Sequence, residues 1–208
     1  MQQIYTPVVW SLLIPPRVQV FLWLLCNNRI LTRDNLGKRR NVEDKSCLFC
    51  AEPESVKHLF FDCCVATNTW LICSDILQIH LSDFESVARW WLCRKKHTIT
   101  NMCTFAVIWS IWKLRNSMCF QGMVWSDIRA VLLRAPGMMR RWRVLCKEAD
   151  AACLEEVVEA PEQKARESPR IGWFPACLGM QESVQGALSS VSSIAPVLRE
   201  NISIFSLL

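Results

Sequence analysis

The chain has 208 residues, 51% of them hydrophobic, which is length for one ordinary domain with a tail or for two small ones built on a sizeable core. Ten tryptophans stand against one tyrosine and six glycines, a balance that argues against a turn-rich β-sandwich. Charge is uneven: residues 1–147 carry 20 Lys+Arg against 10 Asp+Glu, whereas residues 148–208 carry 4 against 9. The twelve cysteines lie scattered along apolar helical patterns with no secretory signal ahead of them, which points to free thiols in a reducing intracellular compartment, nucleus or cytoplasm, and not to a secreted disulfide framework. The most apolar stretches, 18–26 and 102–112, are about half the length a bilayer span needs, so no membrane partner is expected.

In chain order, Pro15-Pro16 fixes φ for the first turn of a helix in which Val18, Phe21, Leu22 and Leu25 share a face. Thr32 is placed to cap a short helix running through Arg40, with Asp34 in its first turn. The segment KSCLFCAEPESVKHLFFDCC, residues 45–64, then reads C-x2-C-x7-H-x4-C over Cys47, Cys50, His58 and Cys63. Two cysteines separated by two residues make a knuckle that aims both thiolates at one point. A histidine and a cysteine from a following short helix, capped by Ser55 and burying Leu59 or Phe61, close the tetrahedron. Three sulfurs and one imidazole with no open position are the ligand set of one structural zinc ion. The bland reading of the same residues is buried thiols beside a capping histidine. Because Cys64 follows Cys63, His58 could pair with either cysteine.

Further helices are expected over 65–79 (Trp70, Leu71, Ile76, Leu77), over 83–96 with Ser82 as cap, and over 98–120 as a long buried helix. Ser126 caps the next, whose pattern breaks at Pro136-Gly137 and resumes over 138–159, with Leu145, Ala149, Ala152 and Val157 loosely periodic. Beyond Pro161, Ser168-Pro169 and the serine run at 189–193 read as loop or disorder. The fold class is therefore mainly α: a small helical domain with a CCHC zinc knuckle (residues 4–75), a helical extension (76–159) and a low-order, disordered tail (160–208). Trp90/Trp91 and Trp109/Trp112 sit at helical spacing among aliphatics, which favours core packing over stacking platforms for bases.

The motif order resembles the zinc-binding region at the C-terminal side of reverse transcriptases in plant non-LTR (LINE-type) retroelements. The resemblance rests on Trp10, Leu12, Pro15, Pro16, Arg17, Val18, Phe21 and Trp23, then Leu31, Thr32, Arg33 and Leu36, then Cys47, Cys50, Glu54, His58, Leu59, Phe60, Cys63 and Trp70. Trp109, Ile111, Trp112, Arg115, Asn116 and Phe120 resemble a stretch that often follows in the same elements, so the likeness runs roughly from Ile4 to Gly122. It departs at Cys64, where the family has proline, and at Ala51, where it has the glycine best suited to positive φ. The family's spacing favours Cys63 over Cys64 as fourth ligand. A ribonuclease H domain often follows in such elements, but after Lys164 only Glu167, Glu182 and Glu200 could hold its metals.

No catalytic constellation is legible: no polymerase carboxylate pair, no Gly-rich phosphate loop, and no third group to orient a Cys/His nucleophile at His80 or His97. A non-enzymatic module is expected. Its basic residues near the knuckle, Arg33, Lys38, Arg39, Arg40, Lys45 and Lys57, suit the backbone of RNA or DNA without strong sequence preference. The alternatives are a structural or protein-interaction module whose apolar helices self-associate or take a protein partner, and a decayed element fragment without selected activity.

Overall fold

The computed structural model describes residues 6–93 and 96–167. Among them the chain is a succession of helices, with a single isolated bridge between Ser46 and Pro53 in place of any sheet. A one-turn α1 (Thr6–Val9) leads to α2 (Pro16–Cys26), which begins on Pro16 as its spacing predicts and buries Val18, Phe21, Leu22 and Leu25. α3 (Arg33–Gly37) starts after Thr32 but stops short of Arg40; Thr32 turns its hydroxyl onto the Asp34 carboxylate and makes no cap bond to the backbone. A wide π-turn at His58–Asp62 precedes α4 (Cys64–Leu77), which ends where Gln78 takes a left-handed φ of 53°.

α5 is shorter than expected, Phe84–Ala88, and passes into a 3-10 turn over Arg89–Cys93. Its cap is Asp83, not Ser82. Asp83 Oδ1 accepts from the Ser86 N–H, and Ser86 Oγ accepts in return from the Asp83 N–H, a reciprocal box that satisfies two otherwise orphaned donors. Trp91 is fully buried against Phe84 and Phe105, and Trp90 is half-buried against His97 and beneath Arg89. Adjacent tryptophans thus divide between core and rim.

α6 spans Thr98–Phe120, the expected bounds, and is buried on most of its circumference. α7 (Arg129–Trp142), α8 (Glu148–Glu167) and α4 all pack on it. Two corrections fall here. α7 runs straight through Pro136-Gly137, and Asp127, not Ser126, receives the first free N–H, from Arg129. α8 continues through Pro161 to Glu167, so residues 160–167 are helix; the tail expected beyond them lies outside the described residues. In both helices the proline is buried, and packing outweighs a local cost of about 3 kcal/mol. The inner face of α8 is Ala151, Leu154, Val157 and Val158, so of the four residues whose periodicity marked it only Val157 is buried there. Arg140 bridges α7 to Glu155 and Glu162 of α8, and Lys164 reaches Asp75 of α4 at 3.7 Å.

One hydrophobic cluster runs from Val9 to Ala165. Phe21 of α2 lies at its middle, with ring centroids 6.1 Å from Phe60, 4.9 Å from Trp109 and 5.7 Å from Trp112. No helix among the described residues is long and apolar enough to cross a membrane.

Candidate metal centre

The first half of the centre is a backbone-built knuckle. Cys47 N–H donates to Glu52 O at 2.6 Å, Ala51 N–H to Cys47 O at 2.9 Å, and Glu54 N–H to Lys45 O at 2.8 Å, closing a tight loop around Cys47 and Cys50. Phe49 N–H points at Cys47 Sγ, 3.5 Å away, while its buried ring packs edge-on against Trp125 at 4.8 Å. The turn needs one left-handed residue, and that residue is Ala51, at φ 62°. A Cβ there costs about 1–2 kcal/mol, against which glycine loses about 0.5–1 kcal/mol of chain entropy. Ala51→Gly is therefore expected to raise stability by roughly 0.5–1 kcal/mol, read as a higher urea midpoint with an unchanged m-value.

The second half comes from the π-turn. Ser55 Oγ accepts from the His58 N–H at 3.0 Å, the cap expected from the sequence. Leu59, Phe60 and Phe61 are all buried, and Trp70 fixes the far side by donating its indole N–H to Phe60 O at 2.6 Å. Cys63 N–H then bonds to His58 O at 2.7 Å, an i→i+5 closure. In an α-helix, at about 100° per residue, positions five apart would diverge by roughly 140°. The wider turn brings His58 and Cys63 back toward one side, as an H-x4-C spacing requires.

The four ligand atoms, the sulfurs of Cys47, Cys50 and Cys63 and one His58 ring nitrogen, lie within 4.8 Å of one another. Cys47 and Cys63 sulfurs are 3.9 Å apart, Cys50 and Cys63 sulfurs 3.6 Å, and Cys50 Sγ is 3.0 Å from His58 Nε2. A tetrahedron with zinc–sulfur bonds of about 2.3 Å has sulfur–sulfur edges of about 3.8 Å, so the sulfurs stand at coordination spacing. Crowding shifts their protons: hydrogen bonds from Cys47 and then Cys63 hold the Cys50 thiol far below the usual range. Cys47 and then Cys50 push Cys63 far above it and raise His58 to about 10. Zinc coordination needs thiolates and a neutral imidazole, so the ion replaces these shared protons. The three cysteines are buried and His58 half-buried, a closed Cys3His set that fits one structural zinc ion.

The structure also separates Cys63 from Cys64. Cys63 belongs to the cluster; Cys64 opens α4 and is disulfide-bonded, an exception to the expectation that the thiols are free. The other cysteines whose side chains are described are free.

Residues 2–70 match the family described as zinc-binding in reverse transcriptase. The match covers the knuckle, both halves of the ligand set and the helices that carry them, and ends at Trp70, which braces the π-turn. No match was found among curated proteins or among solved structures.

Around this matched region the six basic residues divide. Arg33 is held by the Asp44 carboxylate, Lys38 donates to Asn35 Oδ1 at 2.7 Å, and Lys57 pairs with Asp62 at 3.0 Å. Arg39, Arg40 and Lys45 are exposed and make no ion pair among the described residues. The Lys45 stem runs along Gly37, where a Cβ would come within 3.2 Å of Cε, so this lysine lies beside the end of α3, two residues ahead of the first of the two arginines.

One pair was not foreseen. Glu54, between the knuckle and the π-turn, is fully buried against Arg115 of α6, with Arg115 Nε donating to Oε2 at 3.1 Å and Nη2 to Oε1 at 2.8 Å. Glu54 Oε1 also accepts the Arg33 N–H at 2.7 Å, and the guanidinium stacks over Trp112. The signal available was a lone arginine in the apolar run of α6, since a buried charge needs a partner.

Proposed function

We propose that this protein is a non-catalytic, zinc-stapled module derived from a non-LTR retroelement reverse transcriptase of the plant type, and that it binds RNA or DNA through its phosphate backbone. The observation that carries the reading is the family match of residues 2–70 combined with three free cations, Arg39, Arg40 and Lys45, beside the knuckle. The closed ligand set leaves no position for an activated water, so zinc supplies folding energy and fixes the knuckle beside those cations. Backbone contact of this kind is insensitive to sequence and steeply sensitive to salt.

The test is fluorescence anisotropy with single-stranded RNA and DNA over a salt series. Binding is expected to weaken linearly in log–log form, and Arg39→Gln/Arg40→Gln/Lys45→Gln together are expected to flatten the slope by about 2. A second reading, self-association through apolar surface, is favoured by the exposed Trp10, Leu13, Phe120 and Val124. Salt-insensitive oligomers by light scattering, without nucleic-acid binding, would select it.

A further inference from the structure

A second cationic site lies away from the knuckle residues. Arg17 at the start of α2, Trp109 and Lys113 on α6, and Arg134, Gly137 and Arg141 on α7 line a cleft of about 420 Å³, completed by Leu133 and Met138. Four cations face it and no carboxylate does.

The contrast along α7 and its flanks is informative. Arg129 is paired with Asp127, Arg140 with Glu155 and Glu162, and Arg143 with Glu148, whereas Arg134, Arg141, Lys113 and Arg17 make no ion pair among the described residues. Positions 134, 137, 138 and 141 follow i, i+3, i+4, i+7 and so share one face, and 109 and 113 do the same on α6. Like charges gathered around one cleft repel, and a polyanion relieves that repulsion while releasing its own counterions. Trp109 supplies the other half of the chemistry. It is half-buried, braced edge-on by Phe21 at 4.9 Å, and contributes to the cleft wall. Cations tracking a backbone beside an aromatic side chain make up a platform for single strands, since the recessed ring is reached by an unpaired base and not by the stacked bases of a duplex. A purely acidic peptide would use the charges and leave the ring idle.

We infer that this α2–α6–α7 cleft binds single-stranded nucleic acid, with phosphates on Arg17, Lys113, Arg134 and Arg141 and a base against Trp109. The inference takes from the proposed function only that the ligand is a nucleic acid; the residues are a different set.

Gly137 makes the test clean. A Cβ built there meets nothing within 4 Å, and any residue but proline suits a helix interior better than glycine. Gly137→Glu therefore brings a carboxylate to the cleft from a position with room for its Cβ, and Gly137→Gln matches it in size without the charge. The experiment uses the full chain in zinc-containing buffer and labelled oligouridylate and oligothymidylate of about ten nucleotides, within the site sizes of single-strand binders. Gly137→Gln is expected to lose much less affinity than Gly137→Glu, because it fills the same space without the charge. Gly137→Glu is expected to lose about tenfold or more in affinity with no fall in Tm, and Arg134→Gln/Arg141→Gln to flatten the salt slope by about 1.4. If these variants bind like the parent while the Arg39/Arg40/Lys45 triple variant loses binding, the cleft is overturned and the knuckle-side function stands. If the cleft variants lose binding and the triple variant does not, the cleft stands and the knuckle-side contact falls. A parent that binds neither oligomer overturns both. Polyglutamate competing as well as the oligomers would overturn the single-strand assignment in favour of an acidic protein partner.

Discussion

Cys50→Ser is expected to leave the purified chain without zinc and to unfold residues 4–70. Structural zinc in finger peptides is worth about 10–16 kcal/mol, comparable with or larger than the roughly 5–15 kcal/mol that holds a typical domain together. Besides the metal, the loop that Cys50 closes is held by a few backbone bonds, one isolated bridge and the Phe49 ring against Trp125, and it carries the strain of a left-handed alanine. Metal analysis, circular dichroism and limited proteolysis read the outcome together, and chelation of the parent should reproduce it. Cys64→Ser is the informative partner. Cys64 stands outside the ligand cluster, so this variant is expected to keep one zinc per chain although it loses the disulfide. A folded, metal-free Cys50→Ser protein, or a Cys64→Ser protein without zinc, would refute the assignment of ligands.

The second large effect is expected at the buried Glu54–Arg115 pair. Arg115→Leu leaves the Glu54 carboxylate buried without its cation and is expected to cost about 3–5 kcal/mol; Glu54→Leu is expected to cost a similar amount by stranding the guanidinium. Replacing both with leucine removes both charges, so the double variant should recover most of the loss, as buried ion pairs often exchange for apolar side chains at little cost. Recovery should fall short by about 1–3 kcal/mol, because the Arg33 N–H would lose its acceptor on Glu54. Urea denaturation in zinc-saturated buffer gives all four corners of the cycle. Additive single effects would mean that the two side chains do not act as a pair.

What could be read from the sequence was local. The ligand set, the proline start of α2, the Ser55 cap and the bounds of α6 each follow from residue types a few positions apart. The breaks expected at Pro136 and Pro161 failed because proline's penalty is local, whereas the burial of Val131, Met139, Leu154 and Val158 against neighbouring helices is not. Ser82 was passed over for Asp83 because a reciprocal box with Ser86 satisfies two donors where a lone serine satisfies one. The Glu54–Arg115 pair escaped because 61 residues separate its partners, and no periodicity reports a contact at that range. The cleft escaped for the same reason, being assembled from three helices, with one lining residue from α2, two from α6 and five from α7.

Cys63 closes the metal cluster and is also the residue from which the fourteen-residue α4 departs, its carbonyl accepting the Thr67 N–H at 2.8 Å. Zinc with three thiolates and a neutral imidazole carries one net negative charge. That charge sits at the positive end of the α4 macrodipole, equivalent to roughly half an elementary charge. Helix and cluster therefore stabilise each other electrostatically, and the arrangement is selective in sign: a second histidine in place of Cys63 would coordinate zinc but leave a neutral centre that gains nothing from the dipole. The same field draws electron density from the sulfurs, dulling them toward oxidants and alkylating reagents. A cluster built this way is held as an anion by the helix that leaves it, and acid must reach further down the pH scale before protons can take the metal's place.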